Sequence, residues 1–529
     1  MLRIPDVDEV MDYACSLGFD FTQTEAEVVQ KAMAEQLIGL DQFYEMRIEE
    51  DRLPLRYLTR DSGYRPTEQE DPLNAFLCKC RIEGSGEGLL KGKTVALKDH
   101  VSVAGVPLSF GSHFMEGYVP DFDATIVTRL LDHGATITGK LNMNDFSNGG
   151  STFGIGDYGR VLNPHMPDHV TGGSSTGSGA AVAGGYVDIA IGGDQGGSIR
   201  IPSAWCGVVG IKATFGLIPH TGVFGSEPSI DYVGPMARSV EDIAMTLECI
   251  AGADGYDPRQ VRVPEIPSYS KLLEGGVKGL KIGILTEGFD IEGMQKEVRD
   301  AVLSAIDQLE EAGAIISKVS VPVHKSDAAL AFSALSLAGA KYLYDTNFGG
   351  AFAKTYYPAS LIATIGRFKQ SHAYELPILM KQNLTLGHYL HKKYHGRLYA
   401  KAHNVRNPII KEYDKAFSQV DLLVMPSVPT TAPPYRITQN AKDALEETLS
   451  AHAGPTDPVN IRGKNMRQFN FTGHPAISVP CGKAGGLPIG LQLVARHFDE
   501  TNLLRAAYAV QQSVKYEYLP VTPKEIVTV

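Results

Sequence analysis

The chain has 529 residues, 43% hydrophobic and 21% charged, with a formal net charge of −11. Those proportions exclude a disordered or fibrous chain, and the acidic surplus excludes a nucleic-acid binder that works by neutralising phosphates. Six cysteines (15, 78, 80, 206, 249 and 481) show no C-x-x-C spacing, and no run of ~18 apolar residues is present, so neither a disulfide framework nor a membrane span is expected.

The first 21 residues carry acids and no apolar h-region, so no secretory signal is expected and a cytoplasmic location is. Around residues 25–43, Val28, Ala32, Leu37, Leu40 and Phe43 recur near helical spacing. Residues 60–71, polar with Gly and Pro, read as a linker, giving a helical N-terminal region over 1–75. Cys78 and Cys80 lack a second pair and read as ordinary side chains rather than metal ligands. From Gly92 onward short β-branched strands alternate with amphipathic helices. Residues 94–97 predict a buried strand, 124–133 a helix with Ile126, Val127, Leu130 and Leu131 on one face, and 135–138 the next strand. A second unit runs through strand 280–285, a helix carrying Val298, Val302, Ala305 and Leu309, and strand 315–321. Residues 326–415, rich in Ala, Tyr and Lys with no clear strand, predict a helical insertion. Strand patterns return at 421–425 and 490–494. The expected fold is α/β, a central mixed sheet covered by helices on both faces, with core 76–325 plus 416–529 and inserted domain 326–415.

The chemistry concentrates in two glycine–serine clusters. Residues 171–179 read Thr-Gly-Gly-Ser-Ser-Thr-Gly-Ser-Gly, and residues 192–202 read Gly-Gly-Asp-Gln-Gly-Gly-Ser-Ile-Arg-Ile-Pro, with a small-residue helix between them. Glycine lets backbone approach a reacting group closely, and successive N–H groups ending at Ser198 can form a nest for an oxyanion. A serine nucleophile needs a base, and neither cluster offers a histidine. Lys98 stands where a core strand ends; burial there favours its neutral, proton-accepting form.

In order and spacing these elements resemble the amidase signature family. The resemblance rests on Val95-Ala96-Leu97-Lys98-Asp99, Gly172-Gly173-Ser174-Ser175, Gly193-Asp194-Gln195-Gly196-Gly197-Ser198-Ile199-Arg200, Cys206-Gly207, Gly210-Ile211-Lys212, the run 473–480 and the run 486–492. It implies Ser198 as nucleophile, Ser174 (after a cis peptide) as proton bridge and Lys98 as base. It also implies backbone oxyanion donors at Gln195, Gly196, Gly197 and Ser198, with Asp194 and Arg200 holding the loop. Substrate-binding residues are expected at Asn148, Gly149, Gly150, Gly172, Gly173 and Ser175. Thr176 and the pair Asn144-Asp145 depart from the family's usual residues. No metal and no cofactor is expected.

Competing readings are weaker. Gly173-Ser174-Ser175-Thr176-Gly177 fits a nucleophile elbow with Ser175 as nucleophile, yet the preceding residues 163–168 are loop-like where that motif needs a strand. A phosphate loop would need a Lys-Ser/Thr ending. His388, His391 and His395 share a helix face and read as solvated rather than as a zinc site. His100 and His220 read as structural or pocket-edge residues. Tyr342, Tyr344, Phe348, Phe352, Tyr356 and Tyr357 either line a substrate funnel or simply pack the insertion.

The helical N-terminus and insertion are most similar to the broad-range amidases found beside nitrile hydratases. That resemblance implies hydrolysis of carboxylic amides, with esters, anilides or carbamates (a urethanase activity) as side substrates, and a homodimer built partly on the insertion. The alternative is the glutaminase component of a transfer-RNA-dependent amidotransferase; the N-terminal extension and the insertion argue against it.

Overall fold

The structure is a computed structural model that describes residues 2–46, 53–147, 156–350, 353–436, 440–449 and 456–520. The chain forms two compact units, Met1–Pro54 and Leu55–Val529. Among its described residues the first holds two helices, Val7–Leu17 and Gln23–Tyr44, each opened by a capping box: Asp6 with Glu9, and Thr22 with Glu25. These boxes satisfy N–H groups that the first helical turn leaves without acceptors.

The second unit is organised on eleven strands: β1 (Phe76–Ile82), β2 (Thr94–Lys98), β3 (Thr136–Leu141), β4 (Ile189–Gly193), β5 (Val209–Lys212), β6 (Val233–Ala237), β7 (Lys281–Leu285), β8 (Ile315–Val319), β9 (Leu422–Pro426), β10 (Ala476–Ala484) and β11 (Leu487–Ala495). They form one sheet in the order β1-β3-β2-β4-β6-β5-β10-β11-β9-β7-β8. The sheet is mixed. β2 runs parallel to β3 and β4, and β7 parallel to β8 and β9. The centre, from β4 through β6, β5, β10 and β11 to β9, is antiparallel.

The strands expected near 94–97, 135–138, 280–285, 315–321, 421–425 and 490–494 all form. β1, β4, β5 and β6 carry no alternation that separates them from buried helix or loop. β1 places Cys78 and Cys80 on its buried face, where burial pushes their thiols up to about 11 and about 12. Helix Thr125–Asp132 buries the anticipated Ile126, Val127, Leu130 and Leu131. The segment after β8 forms four helices, Asp327–Asp345, Ala359–Ser371, Ile378–Tyr394 and Arg397–Phe417. Ala328, Phe332, Leu335, Ile409, Tyr413 and Phe417 from this segment join the main sheet core. His388, His391 and His395 are all exposed to solvent.

One helix sets the geometry of the site. Thr176–Ala183 is made of small residues and is buried at every position. A Cβ on Gly177 would lie 2.3 Å from the Ala75 carbonyl oxygen and 2.7 Å from Asn142 N. Only glycine lets the helix seat this deeply against the strands.

Candidate active site

β2 and β4 are parallel neighbours, with Leu97 opposite Ile191, so Lys98 and the turn that follows Gly193 leave the same end of the sheet. Open α/β sheets bind their ligands at that end. The helix Thr176–Ala183 delivers Ser174 to the same place, and the Gly173–Ser174 peptide is cis. Lys98 Nζ donates to Ser174 Oγ at 2.7 Å, and both side chains are fully buried. Burial pushes the Lys98 ammonium down to about 7, against the opposing pull of Asp194 and Asp231. A large share of Lys98 is therefore the neutral amine near neutral pH.

Ser198 sits in the turn after β4. Its carbonyl accepts from Ser175 N at 3.3 Å, which ties the two serine segments together. Its hydroxyl makes no hydrogen bond among the described residues and is not fully enclosed, with 7% of the residue exposed. Ser174 is fixed from the other side by Asn144, whose N–H donates to the Ser174 carbonyl at 3.0 Å.

The turn is built around Asp194. Its carboxylate accepts from the N–H groups of Gly197 (2.7 Å) and Ile199 (3.2 Å), and from Arg200 Nε (2.9 Å) and Nη2 (3.0 Å). Asn470 Nδ2 donates to the Asp194 carbonyl and carboxylate, both at 2.8 Å. Burial pushes the Asp194 carboxyl up, but the Arg200 guanidinium and the Asn470 bond outweigh it and hold the group well below the ordinary carboxylate range. Arg200 also reaches Gln492 Oε1 (2.8 Å) and Asn470 Oδ1 (2.7 Å). Every charge in this buried pair is thus compensated.

This arrangement changes two expectations. Gly197 N–H is already committed to Asp194, so it is not available to an oxyanion. The N–H groups of Gln195, Gly196 and Ser198 have no acceptor among the described residues, which leaves three donors on the turn. Ser175, expected at the substrate, instead closes a two-way bond with β4: its Oγ donates to Gly193 O and accepts from Gly193 N, both at 3.1 Å. That engagement also removes Ser175 as an elbow nucleophile. Gly172 and Gly173 pack without room for a side chain; a Cβ on Gly173 would lie 1.9 Å from Asn144 Oδ1. Asn148, Gly149 and Gly150 lie outside the described residues, as does Phe352.

His100 is buried beside the site, and a Cβ on Gly193 would lie 2.3 Å from its Nε2. Burial, reinforced by Lys98, holds its imidazole well below the ordinary range, and it packs as a neutral ring. His220 lines a cavity of about 210 Å³, together with Phe224, Asp231, Phe348, Tyr356 and Tyr357. Tyr342 instead stacks edge-on against Tyr399 and Tyr344 lies under Lys369, so the aromatic set divides between cavity wall and packing.

Sequence reasoning missed Asp231 and Asn470. Asp231 and Gln195 are both buried, and their side chains face each other. Burial, then the neighbouring Glu227, pushes the Asp231 carboxyl well above its ordinary range. Neither residue belongs to a glycine–serine cluster; an acid inside the apolar run 230–237 was the available signal for Asp231.

A family model described as Amidase matches residues 75–504. A glutamyl-tRNA(Gln) amidotransferase subunit of Methanosarcina acetivorans is 38% identical over 469 residues, 86% of this chain and 93% of its own length. An enantioselective amidase of Rhodococcus rhodochrous is 39% identical over 449 residues, 84% of each chain. The crystal structure of a glutamyl-tRNA(Gln) amidotransferase subunit from Thermotoga maritima superposes with a TM-score of 0.66 at 28% identity, covering 83% of this chain and 88% of its own. The chain belongs to the amidase family, the amidase-signature hydrolases.

Proposed function

We propose that the chain cleaves carboxylic amides through an acyl-Ser198 intermediate. The observation that carries this reading is the 2.7 Å bond between the buried Lys98 and Ser174, beside a turn with three N–H donors lacking acceptors among the described residues. Ser198 Oγ adds to the carbonyl carbon as its proton passes to Ser174 Oγ and the Ser174 proton passes to Lys98 Nζ. The Ser198–Ser174 link is the part of the relay that bound substrate completes, since hydrogen bonds of this kind often tighten only in the complex. Gln195, Gly196 and Ser198 N–H groups receive the oxyanion, each worth about 3 kcal/mol. The tetrahedral adduct collapses with cleavage of the C–N bond, and the proton returns through Ser174 to the leaving nitrogen. Water then repeats the sequence on the ester.

The released ammonia has two alternative fates. As a broad-range amidase, the chain releases acid and ammonia to solvent, with esters, anilides and carbamates as further substrates. As a glutaminase component, it hydrolyses glutamine and passes ammonia to a partner. The relatives support this second reading more strongly than the first, because most of those near 38% identity carry the amidotransferase name. The purified chain, assayed alone for ammonia release from aliphatic amides, aromatic amides, carbamates and glutamine, separates the two. Turnover of simple amides without a partner supports the amidase; activity confined to glutamine supports the glutaminase. Unchanged activity in Ser198→Ala rejects the common mechanism.

A further inference from the structure

Away from the serines, three segments distant in sequence meet: the helix Arg397–Phe417 brings Asp414, the turn before β10 brings His474, and the turn after β11 brings His497. One ring nitrogen of each histidine and one carboxylate oxygen of Asp414 lie within 4.8 Å of one another. The two rings stack with centroids 4.0 Å apart, and His474 Nε2 stands 3.9 Å from Asp414 Oδ1, too far for a hydrogen bond.

The neighbours fix where the ring protons are. The Thr472 hydroxyl donates to the Gln468 carbonyl at 2.9 Å, so its oxygen can only accept from His474 Nδ1, also at 2.9 Å. That places the His474 proton on Nδ1 and leaves Nε2 a bare lone pair. His497 Nε2 faces the Thr472 carbonyl at 2.9 Å, and a carbonyl can only accept, so Nε2 carries the proton and Nδ1 is bare. His474 is fully buried, and its Nε2 makes no hydrogen bond among the described residues. Lys212 Nζ is near but donates to the His474 carbonyl at 2.6 Å, not to the ring.

One ring nitrogen of each histidine and a carboxylate oxygen therefore gather within 4.8 Å, and His474 Nε2 is without a hydrogen bond among the described residues. We infer that Asp414, His474 and His497 form a structural binding site for a divalent transition-metal ion of the zinc class. Histidines that ligate metal donate their other ring N–H to a fixed acceptor, and here Thr472 supplies both acceptors. The two-nitrogen, one-oxygen donor set suits zinc-class ions rather than magnesium or calcium. The Asp414 side chain is 57% exposed, which gives an ion a route in and leaves coordination positions for water. A bound ion would clamp the last helix of the inserted segment to the end of the sheet. It touches none of Lys98, Ser174 and Ser198.

The test is calorimetric titration of Zn²⁺ into full-length protein stripped by chelator, at neutral pH, with Asp414→Asn and His497→Asn alongside. Wild-type protein is expected to bind one equivalent and to gain thermal midpoint on binding. Each variant is expected to bind at least about tenfold more weakly and to show no midpoint gain, with amide hydrolysis retained in Asp414→Asn. Absence of stoichiometric binding to wild type overturns the site. Equal affinity in both variants overturns it too, and moves the ion to surface histidines such as His388 and His391.

Discussion

At Lys98 burial opposes the ammonium form, with a cost in stability and a use in the proposed chemistry. In the unfolded chain a lysine takes its proton near 10.5, whereas in the fold burial brings Lys98 to about 7. Between those values the unfolded state binds a proton that the folded state refuses, so stability falls as pH drops from 10.5 toward 7 and then levels off. The cost is on the order of a few kcal/mol. Lys98→Met is accordingly expected to raise the thermal midpoint, read by calorimetry, while abolishing turnover. The same shift sets the rate profile: kcat/KM is expected to rise with pH through about 7 as the amine deprotonates, and then to flatten. Ser198→Ala and Lys98→Ala are each expected to lower kcat by roughly 10⁴-fold or more in a steady-state ammonia assay. A profile flat from about pH 5 to 9 would remove Lys98 from its role.

Two elements hold these residues in place. The helix Thr176–Ala183 brings Ser174 to Lys98 only because Gly177 lets it touch the Ala75 and Asn142 backbone. Gly177→Ala forces the helix outward and is expected to cost about 1–3 kcal/mol by chemical denaturation, with kcat falling more than KM rises. The turn 194–200 is held by the Asp194–Arg200 pair, both fully buried. Arg200→Ala leaves the Asp194 charge buried without its cation, and about 3–5 kcal/mol of stability is expected to be lost. Asn470→Ala, which removes a single neutral partner, is expected to cost less, about 1–3 kcal/mol. A denaturation series ranking these variants in the opposite order would refute this account of the turn.

For the whole molecule, the inserted helices expose Leu330, Tyr374, Leu386, Tyr389 and Tyr394. These side chains support a homodimer formed through this segment, which stands as a proposal. Leu330→Glu with Tyr389→Glu is expected to shift the protein toward monomer in sedimentation equilibrium; an unchanged mass would place any interface elsewhere.

The sequence by itself determined where the proposed chemistry lies. Ser174 and Ser198 stand in short glycine-marked motifs and Lys98 at the end of a strand pattern, all local signals, and the strands flanking the helices at 125–132 and 296–311 follow from periodicity. It could not tell which N–H groups of the 194–198 turn are free, nor that Ser175 turns inward to Gly193. The shape of that turn depends on Arg200 meeting Gln492 and Asn470, 292 and 270 residues away, and the Ser175 bond on the helix packing against β4. Only the tertiary structure decided them, because partners that distant are selected by strand order and register, not by nearest-neighbour preference. The Asp414, His474 and His497 cluster arose the same way, from three segments with no common motif brought together at one end of an antiparallel sheet centre.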